Sequence, residues 1–231
     1  KDRMIRAAFT EAGQDIILLG KKTSGQGVHG AGFASKALRN KGQMVPASQV
    51  ADPASGKILM DCIHELNEAK LIRGMQDIGA GGVLCAASEM AYRGGVGVEI
   101  RIHEMPRLHE DIDALEVLLS QTQEQMLLAA SPEDFEKIKE SAQHWGLECS
   151  QIGSVKKEER IRILEASRLC GDLPVNLLVR GGGAPVYIRD MKDRGKTPRV
   201  ISADEVPMPG HLKDIARQVV SLPNVASRRW I

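Results

Sequence analysis

Apolar residues fall along this chain in two kinds of short run. Asp15 to Gly20 (Asp-Ile-Ile-Leu-Leu-Gly) is an apolar run closed by glycine, the pattern of a buried strand. Asp52-Pro53 then supplies an N-cap and a proline for a first helical position. Ile58, Leu59, Cys62, Ile63 and Leu66 recur after it at three- and four-residue intervals, which predicts an amphipathic helix to about Lys70. Leu71 to Gln76 fits a strand that delivers Asp77 to its end, Gly82 to Arg93 a helix, and Val96 to Ile102 a half-buried strand. The series repeats with Gln125 to Ala130 as strand, Ser131 to Trp145 as a helix capped by Ser131, and Leu147 to Val155 as strand. Arg160 to Leu164 is expected to be an edge strand.

Two successive strand-helix-strand units predict an α+β fold of split βαβ type, with a mixed or antiparallel sheet covered by helices. Beyond Leu164 the pattern thins. Gly181-Gly182-Gly183, Pro185, Pro198, Pro207 and Pro209 punctuate a charged stretch, so Cys170 to Pro209 is expected to link or wrap more than it forms core. A last helix is predicted from His211 to Val220. The chain is thus expected to divide into a domain over residues 1–168 and a connector over 169–231. It opens at Lys1 within an apparent element and stops just after a helix-like segment, so an internal piece of a longer protein is expected.

With 42% hydrophobic and 26% charged residues among 231, the chain has ordinary globular composition and enough length for a sizeable core. An aromatic content of 3% leaves the core to aliphatic residues and offers no platform for stacking single-stranded nucleic acid. The formal net charge of +1 argues against a nucleic-acid or membrane partner held by bulk electrostatics. From Arg180 to Ile231 ten Lys and Arg face five Asp and Glu, the mark of a solvated connector or of a partner contact. Cys62, Cys85, Cys149 and Cys170 are too widely spaced for a metal knuckle and read as reduced, mostly buried thiols of a cytoplasmic protein. No apolar run approaches the length of a membrane span.

Candidate chemistry lies in Met75-Gln76-Asp77-Ile78-Gly79-Ala80-Gly81-Gly82, where a carboxylate ends an apolar stretch and glycines open a helix. Such a run holds a metal ion beside a helix N-terminus that attracts phosphate, or simply makes a turn. Thr23-Ser24-Gly25-Gln26-Gly27-Val28-His29-Gly30, leading to a helical pattern near Phe33 to Leu38, is a glycine-rich loop that either cradles phosphate or turns. Lacking a closing Lys-Ser/Thr, it is not a P-loop. His64, His103, His109, His144 and His211 show no metal-ligand spacing.

These motifs carry a family likeness. Gly27 to Ser35, Gln49 with Asp52-Pro53, Gln76 to Gly82 with Ser88-Glu89-Met90-Ala91, Gln123 to Leu127, Asp172-Leu173-Pro174, and Leu222 to Trp230 resemble, in order, the synthetase subunits of phosphoribosylformylglycinamidine synthases. The likeness is to the small bacterial type, within the aminoimidazole ribonucleotide synthetase-like superfamily. It implies a parent built of two similar halves, in which this chain is the C-terminal domain of the first half plus the connector to the second. It further implies that ATP activates the formyl amide oxygen of formylglycinamide ribonucleotide, which ammonia from a glutaminase subunit replaces. A small accessory subunit belongs to the same assembly. Magnesium would offset the triphosphate charge through hard oxygen ligands.

Residue by residue, Asp77 matches the family's magnesium-binding Asp and Gln49 its substrate-binding Gln. Gln121-Thr122-Gln123 matches a substrate-contacting Glu-Ser-Gln, with an amide at 121 in place of a carboxylate. Gln26 stands where the family loop usually has Asp. The family's catalytic histidine lies upstream of Lys1, so no catalytic residue is expected in this piece, and His29 is read as packing its loop or adjoining the ligand. Two rivals remain: a non-catalytic scaffold for a glutaminase, to which Gln121 points, and another ligase of the superfamily such as aminoimidazole ribonucleotide synthetase.

Overall fold

The apolar run Asp15–Gly20 forms strand β1, and all six of its residues are buried. In the computed structural model, which describes residues 4–28, 52–179, 188, 201–205 and 210–222, β1 lies inside a seven-stranded sheet. The other strands are β2 (Gly74–Asp77), β3 (Gly97–Arg101), β4 (Gln125–Ala130), β5 (Glu148–Lys156), β6 (Arg160–Glu165) and β7 (Arg168–Pro174). Their spatial order is β2-β4-β1-β5-β3-β6-β7. Neighbours run antiparallel except for the parallel pair β3 and β6.

Helices α1 (Pro53–Glu68), α2 (Gly82–Gly94), α3 (Ala114–Leu119), α4 (Phe135–His144) and α5 (Val175–Val179) accompany this sheet. The unit β4-α4-β5 is a split βαβ, because β1 runs between its two strands and antiparallel to both. Alternation along β1 and β4 sorts the apolar side chains into two cores. Ile16, Leu18, Leu127 and Ala129 pack with Val83, Ala87 and Met90 of α2, whereas Ile17, Leu19, Leu128 and Ala130 pack with Leu59, Cys62 and Leu66 of α1 and Ile138 of α4. Each such aliphatic side chain contributes about 1.5–3 kcal/mol on burial. The sheet is therefore a middle layer with helices on both faces.

Four expectations need correction. Strand β6 is internal, held between β3 and β7, because the hairpin partner β7 covers its outer edge. The expected connector does not begin at residue 169: the first compact unit extends over Lys1–Pro185, and Val186–Ile231 forms a second, smaller one. Leu169, Gly171 and Leu173 alternate as a strand does, although Gly171 and Pro174 imitate a loop. The Ser131 side chain makes no cap bond; a 3-10 turn at Pro132–Asp134 precedes α4, and the buried Asp134 faces Arg73 and Lys137. Lastly, α3 was not foreseen, though Asp113 and Glu116 form a capping box readable as Asp-x-x-Glu.

Within the second unit, α6 (Leu212–Ser221) follows the expected last helix closely, and none of its residues is buried. Among the described residues no helix is long and apolar enough to cross a membrane. All four cysteines are free thiols, but only Cys62 is fully buried and Cys170 is exposed on β7. Burial pushes the Cys149 thiol up to about 12, so it stays protonated.

Leu18→Ala should lower stability by about 2–5 kcal/mol in urea denaturation, through a cavity in the central strand. Leu169→Ala, at a side chain 52% exposed, should change it by less than about 0.5 kcal/mol.

Candidate functional site

The ladder between β2 and β4 sets Asp77 opposite Met126, so the end of β2 lies beside the segment that leads into β4. That pairing builds a cavity of about 700 Å3 between the sheet end and α1. Asp77, Gln121, Gln123 and Glu124 line it, together with Gly56 and Met60 of α1. Three of the residues singled out by sequence, Asp77, Gln121 and Gln123, thus share one cavity. Gln49 and His29 lie outside the described residues.

Thr122 is turned the other way and is buried. Its hydroxyl accepts from the Ser24 N–H at 2.9 Å and lies 2.8 Å from Ser120 Oγ and 3.2 Å from Ser24 Oγ. One proton and two lone pairs leave it no spare capacity. The Gln121 N–H and the Ser120 hydroxyl both donate to the Gln26 carbonyl. Thr122, Ser120 and Gln26 therefore tie the glycine-rich loop to the cavity wall, a role that the substrate contact expected of Thr122 did not anticipate. Gln26 meets this segment through its backbone, which an Asp there could do as well.

Gln123 also borders a second cavity of about 650 Å3, lined by Lys21, Ser55, Thr122 and Trp145. Between the two cavities stands the first turn of α1. Asp52 caps it, accepting from the Ser55 N–H at 3.2 Å, the Ser55 hydroxyl at 2.7 Å and Lys21 Nζ at 2.6 Å. The Lys21 ammonium, then Ser55, hold the Asp52 carboxyl well below the usual carboxylate range. The sequence assignment of Asp52 to capping agrees with this geometry.

Behind Asp77, the preceding residue is fixed by a polar cluster. Gln76 donates to Glu89 at 2.8 Å, and Arg93 donates to Gln76 at 2.7 Å, to Glu89 at 2.9 Å and to the Ala7 carbonyl at 3.1 Å. The Gln76 hydrogen bond and the Arg93 charge lower the Glu89 pKa. The glycine-opened start of α2 is packed, not open at every residue: a Cβ at Gly82 would lie 2.3 Å from the Leu118 carbonyl oxygen of α3. Gly79, beside Asp77, has open space around it and lines the cavity.

Glu124 was not singled out by sequence. Its φ of 63° is left-handed, at a cost of about 1–2 kcal/mol for a residue with a Cβ. Two glycines accommodate it. A Cβ at Gly20 would lie 2.1 Å from the Glu124 carbonyl oxygen, and one at Gly56 would lie 2.8 Å from Glu124 Oε2. Gly56 sits inside α1, where glycine is about 1 kcal/mol less favourable than alanine. In the sequence that glycine interrupts a helical pattern, and Glu124 itself lies within the Gln123 to Leu127 segment that carries the family likeness.

The chain matches the family model described as AIR synthase related protein, C-terminal domain, over residues 11–164. It belongs to that family. Among curated proteins it is 36% identical over 232 residues to the phosphoribosylformylglycinamidine synthase subunit PurL of Aquifex aeolicus, covering 99% of this chain and 31% of that protein. It is 33% identical over 235 residues to the corresponding subunit of Methanopyrus kandleri, covering 100% of this chain and 32% of that protein. The chain therefore spans about a third of the length of the curated relatives it matches. Among solved structures, Thermotoga maritima PurL complexed with FGAR matches with a TM-score of 0.76 at 32% identity, covering 87% of this chain and 33% of that one. The same protein complexed with ATP matches with a TM-score of 0.71 at 28% identity, covering 88% and 31%. The α+β architecture expected from the sequence is the one this family has.

For a cation, no group of three or more His, Cys, Asp or Glu side chains among the described residues is placed to hold a metal ion. One hard carboxylate fits a magnesium ion, which keeps several waters and takes ligand phosphates as its remaining donors. It does not fit a self-contained protein cage.

Thr122→Val should destabilise by about 1–3 kcal/mol, since it strands the Ser24 N–H, whereas Thr122→Ser should be nearly neutral; urea denaturation measures both. Asp52 has a lowered native pKa, so its stabilisation is complete above its unfolded value near pH ~4 and is lost as pH falls through the lower native one. The stability difference between the protein and Asp52→Asn should accordingly be constant from about pH 7 to 5 and shrink below about pH 4.

Proposed function

We propose that this chain is the C-terminal domain of the first half of a phosphoribosylformylglycinamidine synthase synthetase subunit, with its connector toward the second half. The parent is an ATP-dependent carbon-nitrogen ligase of purine biosynthesis. It converts formylglycinamide ribonucleotide to formylglycinamidine ribonucleotide with ammonia from a glutaminase subunit, in an assembly that includes a small accessory subunit. The observation that carries the reading is the convergence of Asp77, Gln121 and Gln123 on one cavity in a domain of this family. Structures of the Thermotoga maritima relative are described with FGAR, with ATP and as a PurLQS assembly, which supports the same substrate, nucleotide and partners here.

In this reading Gln121 and Gln123 orient the substrate, since each amide both donates and accepts. Gln49 joins them from outside the described residues. Thr122 acts from behind, holding the glycine-rich loop against their segment. Asp77 holds magnesium, which when bound offsets charge on the ATP phosphates. Gln76, fixed by Glu89 and Arg93, sets the strand end from which the Asp77 carboxylate projects. The acid-base histidine and the remaining nucleotide ligands come from elsewhere in the parent, so the piece alone is inactive. The parent is read as cytoplasmic, a reading that ATP chemistry and free thiols support.

Full-length parent protein supplied with ammonia and magnesium should hydrolyse ATP only when formylglycinamide ribonucleotide is present. Asp77→Asn should raise the magnesium requirement or cut turnover about a hundredfold. Unchanged turnover at unchanged magnesium would remove Asp77 from the metal. Binding of a glutaminase without ATP hydrolysis under any of these conditions would favour the scaffold reading that Gln121 raises.

A further inference from the structure

Three non-glycine residues among those described have a left-handed backbone: Lys70, Glu124 and Ala166. Two are explained by their place in the chain. Lys70 ends α1, where the N–H groups of Lys70 and Leu71 return to the carbonyls of Asn67 and Leu66. Ala166 lies in the two-residue turn between β6 and β7. Glu124 terminates no helix and closes no tight hairpin. It stands one residue ahead of β4, on the wall of the cavity that contains Asp77, Gln121 and Gln123.

The side chain is as unusual as the backbone. The Glu124 carboxylate is half-buried against Gly56, near the positive end of α1, and makes no hydrogen bond or ion pair with any described residue. Elsewhere on this domain partly buried carboxylates are engaged: Glu89 by Gln76 and Arg93, Asp134 by Arg73 and Lys137, Asp172 by Arg160. An ionised carboxylate only accepts, and its two oxygens can each accept from one of two neighbouring hydroxyls. The groups that share its cavity wall at 121 and 123 are amides, each with donors of its own.

Resting on the functional reading above, we propose that Glu124 is a substrate-binding residue whose carboxylate accepts hydrogen bonds from the paired ribose hydroxyls of the ribonucleotide substrate. Gly56 and Gly20 are the positions that make this placement possible. The first leaves room for the carboxylate, and the second for the carbonyl of the left-handed residue.

The test uses full-length parent protein, steady-state kinetics, and two substrates: formylglycinamide ribonucleotide and its 2′-deoxy analogue. Glu124→Gln keeps the shape of the side chain and removes its charge. The expected result is a rise in KM for the ribonucleotide of about 10- to 100-fold, the range of a lost charge-assisted bond, with kcat and the half-saturating magnesium concentration unchanged. The variant should also lose most of the wild type's preference for the ribonucleotide over the deoxy analogue. Gly56→Ala, which crowds the carboxylate, should raise KM in the same way and add little in a Glu124→Gln background. It decides the matter if Glu124→Gln does not fold. Unchanged KM and unchanged discrimination would overturn the proposal, as would a shift in magnesium requirement in place of KM, since the carboxylate would then serve the cation. Wild-type protein that neither binds the ribonucleotide nor turns it over would overturn the functional reading, and this inference with it.

Discussion

Because every residue of β1 is buried, its backbone groups have no water to bond and must be satisfied by β4 on one side and β5 on the other. That requirement fixes more than the sheet. With both faces covered, neither Ile16 and Leu18 nor Ile17 and Leu19 can be exchanged for polar residues, so one six-residue run anchors both cores. The same pairing sets β4 between β1 and β2, which is what brings Asp77 opposite Met126. At the end of β1, the Lys21 N–H donates to the Glu124 carbonyl at 3.1 Å, and Gly20 admits that carbonyl at close range. The cavity wall is thus a continuation of the central strand's hydrogen bonding.

The sequence revealed the elements that are either continuously apolar or periodically so. β1, β4, α1 and α2 show their apolar spacing openly, and their observed limits differ little from those expected. β6 was expected at an edge; in the structure Arg160 and Arg162 both reach Asp172 on β7, a partner no local pattern could reveal. β7 itself was hidden by Gly171 and Pro174, residues that mark loops more often than strands. At the site, Asp77, Gln121 and Gln123 were legible because their residue types and neighbours match a family. Thr122 was legible as a position, but the direction of its side chain was not, since that depends on Ser24 and Ser120, far apart from each other in sequence. Glu124 lay within the Gln123 to Leu127 segment of the family likeness, but its left-handed backbone leaves no compositional trace.

Two carboxylates on one cavity wall pose an electrostatic question. Among its described lining residues there is no lysine or arginine, and His64 is the only other group there that could carry positive charge. A phosphorylated ligand entering such a space would bring like charge to Asp77 and Glu124, and at an effective dielectric constant of 20 a unit pair 4 Å apart repels by about 4 kcal/mol. Lys21 and Lys22 line the neighbouring cavity and already face Asp52 and Glu148. The functional reading therefore cannot stand on the amides alone. It requires positive charge delivered with the ligand or from the rest of the parent; the divalent ion proposed at Asp77 would meet that need and leave Glu124 to neutral hydroxyls. The division of labour proposed for the two carboxylates agrees with their settings. Asp77 is exposed at a strand end where water can complete a cation's shell, whereas Glu124 is half-buried with one carboxylate oxygen close against Gly56 of α1.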